Sequence, residues 1–471
     1  MSVNLCWLRN DLRIHDNTAL WHASQNGAVV AVYLITPGTW AEHDEAAVKV
    51  DFWLRNLVEL GRALEALNIP LKLVEVDHWR DAPQALLNVA RDVDATGMFF
   101  NDEYGIHEQR RDQAVAEEFR SAGLACQRFV DNTLFEPGTL LTQSGSMYKV
   151  YSQFRKQAYA NLHRALPQCL PAPSRQGTLA VTRDTPPEKV AGFEQVTATI
   201  QQIWPAGERA ASDRLDLFVA DILEDYQDTR DRPDLDGTSR LSPYLASGII
   251  SVRQCLHAAI GANRGEFDSG NTGAVGWINE LLWREFYRHI LVCYPHVSRG
   301  KAFRSEYQDF RWRTEPDALR AWQTGNTGIP IVDAAMRQML ATGWMHNRLR
   351  MITAMFLTKN LLINWQDGER WFMRHLIDGD FASNNGGWQW SASTGTDSAP
   401  YFRVFNPMSQ AEKFDPDAGF IREWVPELRS LSPREIHRPL SSSQLAELGY
   451  PEPIVDLKAS RQRAIEAFRG G

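Results

Sequence analysis

Residues 28–35, "AVVAVYLI", decide the fold of the first part of the chain. The run has no polar residue and is rich in β-branched side chains, which is typical of a strand buried on both faces of a parallel sheet. Three more apolar runs in the first 130 residues, "VNLCWL", "LKLVEV" and "GMFFN", are bounded by polar residues and predict further strands. Residues 46–67 and 107–122 alternate with these runs and have helical spacing. We therefore expect a βαβ series with helices on both faces of a parallel sheet.

The chain changes character after about residue 130. Residues 165–215 form a polar stretch punctuated by prolines, which is typical of a long interdomain connection. Beyond it, nearly every segment has helical spacing. We predict an α/β plus all-α protein with a Rossmann-like parallel-sheet domain at 1–130, an interdomain connection at 131–215 and a mostly helical domain at 216–471.

The predicted sheet indicates where a ligand would bind in the first domain. Ligands of parallel sheets lie beyond the carboxyl ends of the strands, and the first such end carries "RNDLRIHDN" at 9–17. No G-x-G-x-x-G motif follows a strand, so we do not expect a standard dinucleotide site in this domain.

Composition narrows the class of protein. No run of 18 or more apolar residues predicts a membrane span, and the start "MSVNLCWLRNDLR" lacks the apolar core of a signal peptide. Five dispersed cysteines without a C-x-x-C pair indicate neither a disulfide framework nor a zinc site, so we expect a reducing cytoplasm. The net charge is -8, yet residues 280–360 carry twelve Lys or Arg against seven Asp or Glu. That local excess indicates either a phosphate-binding face or a solvated helical surface, and the second is the commoner case.

The stretch "DGTSRLSPYLASG" at 236–248 places three hydroxyls, on Thr238, Ser239 and Ser242, just before a helix expected to begin at Pro243. Free backbone N–H groups and hydroxyls at a helix start can hold a phosphate or pyrophosphate. A plain capped helix explains the same residues, and this fragment alone favours that interpretation.

Two helical stretches mix aromatic and polar residues. In "WINELLWREFYR" at 277–288, an aromatic stripe is interrupted by Glu280, which suits a pocket for a flat polar ring, although Glu280 and Arg284 are also spaced for a surface salt bridge. In "WMHNRLRMITAMFL" at 344–357, one face is apolar and the other combines asparagine, arginine and methionine. A helix packed on both sides would give the same pattern.

The stretch "DGDFASNNGGWQWSASTGTD" at 378–397 combines two carboxylates, two asparagines, a Gly-Gly step and two tryptophans with little periodicity. This combination predicts a segment that lies close to a flat ligand, because glycine permits close approach and polar side chains orient the ligand. No histidine or third acid adjoins the D-x-D pair, so a metal site is not expected.

Taken in order along the chain, these motifs closely resemble the photolyase/cryptochrome flavoproteins, and most closely the bacterial class I cyclobutane pyrimidine dimer photolyases that carry a folate antenna. The resemblance runs from "WLRNDLRIHDN" to "YFRVFNP" near residue 407. It includes "GTSRLSPYLASG", "WINELLWREFYRH", "TGIPIVDAAMRQ", "TGWMHNRLRM" and the stretch at 378–397. Agreement of all these motifs in this order is not expected by chance.

The resemblance implies one non-covalent FAD in the helical domain and an antenna chromophore in the sheet domain. The implied FAD contacts are Tyr226, Thr238, Ser239, Arg240, Leu241, Ser242, Trp277, Arg284, Arg350, Asp378, Gly379, Asp380 and Asn384. Arg350 would balance the charge of the two aspartates, and Asn384 would face flavin N5. A neutral amide there can accept from a protonated nitrogen or donate to an unprotonated one, which favours repair over signalling.

The implied reaction is light-driven electron transfer from reduced FAD to a pyrimidine dimer flipped out of the DNA. Glu280 would hydrogen-bond the dimer and stabilise its radical anion, with Asn347 bonding the same lesion. Trp283, Met351 and Trp390 would wall the lesion. Asparagine and methionine at 347 and 351 favour the cyclobutane lesion, because (6-4) photoproduct enzymes carry histidines there.

Three tryptophans, Trp388, Trp365 and Trp312, match the family's electron relay, although core packing is the commoner fate of each alone. Arg230 and Arg348 would clamp phosphates, so binding to UV-damaged DNA should depend on the lesion and on salt, not on base sequence. We expect a monomer in the cytoplasm.

For the antenna, His43 and Glu108 match positions that contact methenyltetrahydrofolate in the folate-using branch. His107 stands where that branch has asparagine, and Ser298-Arg299 stands where it has Cys-Lys, although Arg299 could keep the cationic contact. A folate is therefore expected, with a deazaflavin, FMN or an empty site as alternatives. A cryptochrome-type photoreceptor that signals through a partner is the runner-up function, and a nucleotide-binding protein of other chemistry is a weaker third.

Overall fold

A computed structural model describes residues 2–470 and contains one five-stranded parallel sheet. The strand order is β3-β2-β1-β4-β5. The strands are β1 (Val3–Leu8), β2 (Ala28–Ile35), β3 (Leu71–Glu75), β4 (Ala95–Asn101) and β5 (Ala125–Phe129). All eight residues of β2 are buried, as expected for a strand covered on both faces. The predicted α/β plus all-α class is confirmed.

The chain divides into two compact units. The first unit comprises the described residues up to Glu224, Ser239–Pro295 and Ile377–Asp380. The second comprises Asp225–Thr238, His296–Leu376 and the described residues from Phe381 onward. The domain boundaries predicted near residues 130 and 215 stay predictions.

The first unit holds the sheet and the helices around it. Its α-helices are α1 (Thr18–Gln25), α2 (Pro37–Glu42), α3 (Ala47–Ala66), α4 (Ala82–Asp92), α5 (Ile106–Ser121), α6 (Tyr151–Arg164), α7 (Ala198–Ile203), α8 (Glu208–Asp221), α10 (Ser242–Ala246), α11 (Val252–Ala262) and α12 (Thr272–Cys293). A short 3-10 helix covers Trp79–Asp81, and another, at Leu223–Asp225, reaches the unit boundary. The sheet's core joins strand residues such as Trp7 and Phe100 to α4 and α5.

The second unit is helical throughout its regular structure. Its α-helices are α9 (Tyr226–Thr229), α13 (Pro316–Thr324), α14 (Pro330–Thr342), α15 (Asn347–Met355), α16 (Trp365–Met373), α17 (Phe381–Ala392), α18 (Pro407–Phe414), α19 (Gly419–Trp424), α20 (Pro433–Ile436), α21 (Ser442–Leu448) and α22 (Leu457–Gly470). Shorter 3-10 helices cover Val297–Arg299, Ser305–Tyr307 and Pro426–Leu428, and a π-helix covers Phe356–Asn360. Its largest core cluster includes Trp322, Trp365 and Trp388.

Two local expectations differ from the structure. The glycine- and tryptophan-rich stretch forms helix α17, because its buried side chains fall on one side and pack into the second unit's core. The helix expected to begin at Pro243 is short, since α10 ends at Ala246 and Gly248, whose φ of 62° is left-handed, separates it from α11. The chain there lies so close to the loop after β1 that a Cβ on Gly248 would be 1.9 Å from the Asn10 carbonyl oxygen.

Candidate functional site

The loop after β1, expected to face a ligand, is part of a buried ion-pair network that we call the Asp131 cluster: Arg13, Asp16, Asp131 and Arg253. Asp131 accepts from Arg13 Nη2 at 2.5 Å and from Arg253 Nη2 at 2.8 Å, while Arg253 Nε donates to Asp16 at 2.8 Å. Burial alone would raise the pKa of Asp131, but the two guanidinium groups outweigh it and hold the pKa at about 2. The charges of this cluster satisfy one another.

A second polar group follows β2 and β4, and we call it the His43 cluster: His43, Trp79, His107, Glu108 and Arg111. The rings of His43 and His107 lie 5.4 Å apart, and His43 meets Trp79 edge-on at 4.7 Å. The Arg111 guanidinium lies 4.4 Å from the Trp79 ring centre. The structure thus brings together the three antenna candidates of the first unit. Arg299, the fourth, is exposed in the second unit.

Two groups of the His43 cluster, His43 and Glu108, have pKa values shifted toward their uncharged forms, while Arg111 stays a cation. Burial, reinforced by His107, lowers the pKa of His43 to about 4. Burial, reinforced by Glu103, raises the pKa of Glu108 to about 7. The Glu108 carboxylate folds back over Gly105, where a Cβ would be 2.0 Å from Glu108 Oε2. A neutral imidazole and a carboxyl that can donate or accept are suited to hydrogen-bond a flat heterocycle.

Helix α12 carries four of the predicted residues along one stretch. Trp277 is buried and packs against Phe218 with ring centres 4.8 Å apart, and Glu280 is half-buried. Trp283 stacks on Tyr151 with ring centres 3.7 Å apart, so one face of the indole is covered by protein. Arg284 Nη1 donates to the Asn132 carbonyl at 2.6 Å.

Arg284 is a cation in poor surroundings for a charge. Only 13 % of its side chain is exposed, and its ion-pair partner Glu285 is 3.9 Å away. Burial, together with the nearby Arg288, lowers the pKa of Arg284 to about 10. A buried guanidinium of this kind fits an anionic ligand group such as a pyrophosphate.

The Asp378–Asp380 segment is held from two sides by cations that the sequence patterns did not single out. Arg288 Nη2 donates to Asp380 Oδ2 at 2.9 Å, and Lys49 Nζ donates to the Gly379 carbonyl at 2.5 Å. Arg288 lies one helical turn beyond Arg284 on α12, and this four-residue spacing is visible in the sequence. Lys49 has no such signal, because it is 330 residues from its partner.

The candidate phosphate segment divides at the unit boundary, with Thr238 in the second unit and Ser239 onward in the first. Helix α10 begins at Ser242, one residue earlier than expected, and Leu241 occupies the N-cap without a side-chain acceptor. Arg240 has a left-handed φ of 50°. Arg214 fixes the turn by donating from Nε to the Ser239 carbonyl at 2.8 Å.

In the second unit, Asn384 lies half-buried on α17, with its amide oriented by α16. Its Nδ2 donates to the Glu369 carbonyl at 2.9 Å, which leaves Oδ1 as the acceptor that the side chain presents. The neighbouring Asn385 donates to the Glu369 carboxylate at 2.7 Å. A Cβ on Gly387 would meet no atom within 4 Å. The Asn384 Oδ1 can accept a hydrogen bond from a ring N–H donor.

Helix α15 carries the other predicted residues of the second unit. Asn347 is exposed at its first position, and Met351 is half-buried, as is Trp390 on α17. Arg350 donates from Nε to the Met345 carbonyl at 2.8 Å. Arg348 pairs with Asp231 at 2.6 Å and 3.2 Å.

The position of Tyr226 is set by its own short helix. It is buried on α9, and the Arg230 guanidinium lies 5.4 Å from its ring centre. The arginine therefore covers one side of the ring, in the range of a cation–π contact.

The three relay candidates all lie in the second unit and differ in exposure. Trp388 and Trp365 are 2 % and 3 % exposed in the same core, while Trp312 is half-buried against it and 6.1 Å from Phe468. The Trp388 ring packs against Gly368, where a Cβ would be 2.1 Å from the indole ring.

Residues 2–470 lack two kinds of feature, a metal-binding cluster and a membrane-spanning helix. No group of three His, Cys, Asp or Glu side chains in that range is placed to hold a metal ion. No helix in the same range combines the length and the hydropathy needed to cross a membrane.

Comparisons with known proteins cover nearly the whole chain. Residues 4–174 match the family model described as DNA photolyase, and residues 277–470 match the one described as FAD binding domain of DNA photolyase. The chain is 42 % identical to the deoxyribodipyrimidine photo-lyase of Escherichia coli K12 over 99 % of its length and 98 % of the relative's.

Solved structures give the same picture. A class III photolyase from Agrobacterium tumefaciens superposes with a TM-score of 0.89 at 34 % identity, covering 100 % of this chain and 98 % of the other. A cryptochrome from Synechocystis sp. PCC6803 superposes with a TM-score of 0.87 at 28 % identity, covering 99 % of each chain.

Proposed function

The chain belongs to the DNA photolyase family, and on that premise we propose that it is an enzyme that uses light to split cyclobutane pyrimidine dimers in DNA. It is a carbon–carbon lyase with FAD as its cofactor and a folate-type antenna. The observation that carries this function is the 42 % identity with a deoxyribodipyrimidine photo-lyase across almost the full length of both chains.

FAD supplies, in its reduced and light-excited form, the electron that opens the cyclobutane ring and that returns afterwards. We assign its binding to Ser239, Arg240, Leu241, Ser242, Trp277, Arg284, Asp378, Gly379 and Asp380 of the first unit, and to Tyr226, Thr238, Arg350 and Asn384 of the second. The buried Arg284 guanidinium supports an anionic ligand group, and the outward acceptor of Asn384 supports a ring N–H.

We carry the lesion contacts over from the family resemblance, and the partial exposure of these side chains supports the assignment. Glu280, half-buried on α12, would hydrogen-bond the dimer, and the exposed Asn347 would bond it from α15. Trp283, Met351 and Trp390 would enclose it. Stacking on Tyr151 holds the Trp283 ring in one orientation, which supports a rigid wall for a flat base.

Trp388, Trp365 and Trp312 would relay an electron inward when the cofactor has been oxidised. Their exposure rises from 2 % at Trp388 to half-buried at Trp312, which is the order a relay toward the surface needs. Core packing explains Trp388 equally well, since Gly368 is matched to its ring.

We assign backbone contacts with UV-damaged DNA to Arg230 and Arg348. Arg348 is paired with Asp231, so a phosphate must compete with that carboxylate or join it. Binding should weaken with salt and depend on the lesion, not on base sequence. We further propose a monomer acting in the cytoplasm, where the five free cysteines would stay reduced.

The antenna assignment is methenyltetrahydrofolate at His43, His107, Glu108 and Arg299. A neutral His43 imidazole does not repel the cationic methenyl bridge of this folate, and the Glu108 carboxyl can hydrogen-bond its pterin ring. A cryptochrome-type photoreceptor is the competing function, and the 28 % identity with the Synechocystis cryptochrome gives it less support than the photo-lyase relative gives repair.

The test is repair of an oligonucleotide with one defined thymine dimer by the reduced protein, in blue light and in darkness. We expect restoration of the two thymines in light only, with FAD recovered from the protein on extraction. Glu280→Gln should keep FAD and lower repair by about tenfold, because a transition-state hydrogen bond to charge is weakened. The control is Glu59→Gln, a 41 % exposed carboxylate of the same unit, which should repair normally. Absence of flavin, or equal repair in darkness, would rule the function out.

A further inference from the structure

Lys49 is a buried cation of the sheet-bearing unit that contacts the segment we assign to the flavin. It lies on α3 and is 4 % exposed. Its ammonium donates to Glu45 Oε2 at 2.6 Å and to the Gly379 carbonyl at 2.5 Å, and lies 4.8 Å from the Trp53 ring centre. Burying an ammonium is costly unless it is paired and hydrogen-bonded, so these contacts are needed together.

Asp380, the residue after Gly379, is held in place as well. Asp380 accepts from Arg288 of α12, while Asp378 is buried. The segment is therefore held by α3 through Lys49 and by α12 through Arg288. Loss of Lys49 would remove the ammonium that donates to the buried Gly379 carbonyl.

Glu45, the carboxylate partner of Lys49, lies only two residues after His43 in the chain. His43 ends α2, and only residues 44–46 separate it from α3. Asp44 has a left-handed φ of 58°, and the Glu45 N–H donates to the Trp40 carbonyl at 2.9 Å. His43 and Glu45 therefore belong to one tight, hydrogen-bonded turn, two residues apart.

The electrostatics of Glu45 support the same connection. Burial raises its pKa, Lys49 opposes that rise, and Glu103 and Asp380 both add to it. Glu103 in turn pairs with Arg111 of the His43 cluster at 2.6 Å. Glu45 therefore responds to charges on both sides of Lys49.

We propose that Lys49 is a positioning residue that couples the two ligand sites, so that the folate antenna and FAD each bind more tightly when the other is present. Antenna binding fixes His43 and with it Glu45, which holds Lys49 in place to donate to Gly379. The inference rests on the proposed function, since it takes the two ligands from there. By thermodynamic linkage, the factor by which folate tightens FAD equals the factor by which FAD tightens folate.

The test is the rate of FAD release from the holoprotein, measured by filtration and chromatography of the filtrate, with and without saturating 5,10-methenyltetrahydrofolate. Allosteric couplings commonly begin near fivefold, and we expect folate to slow release by about fivefold in the unaltered protein. Lys49→Met keeps the side chain's length and its contact with Trp53 but removes the charge and the donors, so folate should no longer change the release rate.

The matched control is Lys72→Met. Lys72 is a lysine of the same unit that pairs with Asp184 at 2.8 Å, away from both ligand segments, and its variant should keep the full fivefold effect. Lys49→Arg, which restores a cation and donors, should recover part of the effect, as a merely structural loss of packing would not. If Lys49→Met does not fold, Glu45→Gln tests the same path and should likewise abolish the effect of folate.

The outcomes separate this inference from the proposed function. If folate slows FAD release equally in Lys49→Met, or has no effect in the unaltered protein, the coupling is wrong while light-driven repair can still hold. If the unaltered protein retains no FAD, both fail.

Discussion

The Asp131 and His43 clusters both lie beyond the carboxyl ends of the same parallel sheet. The charged groups of the Asp131 cluster pair with one another, whereas His43 and Glu108 of the second cluster have pKa values shifted toward their uncharged forms. In the Asp131 cluster, two guanidinium groups face two carboxylates, and the pKa of Asp131 is held at about 2. In the His43 cluster, the pKa of Glu108 is raised to about 7 and that of His43 is lowered to about 4.

The difference shows how a structural site and a ligand site can be told apart at one edge of a sheet. A network whose charges are mutually paired is complete and needs no ligand. In the His43 cluster, burial shifts the pKa values of His43 and Glu108 strongly, and strongly shifted pKa values are typical of functional sites. The first cluster therefore holds the unit together, and the second is where we place the antenna.

The largest effect is expected from Asp131→Asn, which leaves Arg13 and Arg253 buried without their shared carboxylate. We expect the free energy of unfolding to fall by about 3–5 kcal/mol, measured by urea unfolding. The control Asp213→Asn removes the carboxylate of an exposed pair, 3.8 Å from Arg209, and should cost less than about 1 kcal/mol. Equal effects of the two variants would mean that the cluster is not the structural one.

The pH dependence of the Asp131 effect has a definite direction. The folded-state pKa of about 2 lies below the ordinary value of 3.8, so this stabilisation is present above about pH 4 and is lost as the pH falls through about 2. The difference between the unaltered protein and Asp131→Asn should close over that window. A difference that closed near neutral pH would contradict the assignment.

A smaller effect of opposite sign is expected at Glu108. Its folded-state pKa of about 7 lies above the ordinary value of 4.5, so the folded protein loses stability as the pH rises from about 4.5 to about 7. Because the side chain is half-buried, we expect this loss to be about 1–2 kcal/mol. Glu108→Gln should remove it, so that at pH 8 the variant unfolds at higher urea concentration than the unaltered protein. A Glu108→Gln variant with the same pH profile would show that Glu108 is an ordinary ionised carboxylate.

Much of the sheet could be predicted because strands buried on both faces of a parallel sheet consist of continuous runs of apolar residues. All of β1 and β2 matched their predicted ranges. Strand β5, "ACQRF", escaped prediction because it is an edge strand with three exposed positions and no apolar run. Helix α17 escaped because its glycines and tryptophans obscure the helical period, and only packing into the second unit's core reveals it.

The candidate site was predictable where a motif carries it and not where the contact is between distant parts of the chain. His43 and His107 were predicted through the family resemblance alone, and the structure places their rings 5.4 Å apart. Lys49 and Arg288 were missed, since pairing with residues near 380 depends on tertiary structure alone. In the "RNDLRIHDN" loop, predicted to lie where a ligand would bind, Arg13 and Asp16 belong to the Asp131 cluster, a pairing that depends on the distant Asp131 and Arg253.

We propose that absorbed light drives dimer repair through FAD, with an antenna at the His43 cluster. An action spectrum of repair is the most direct test of this mechanism. The repair rate on a defined thymine dimer should follow the absorption of reduced flavin, and folate should add its own absorption band to that spectrum. A repair rate that does not depend on wavelength, or that persists in darkness, would contradict the account.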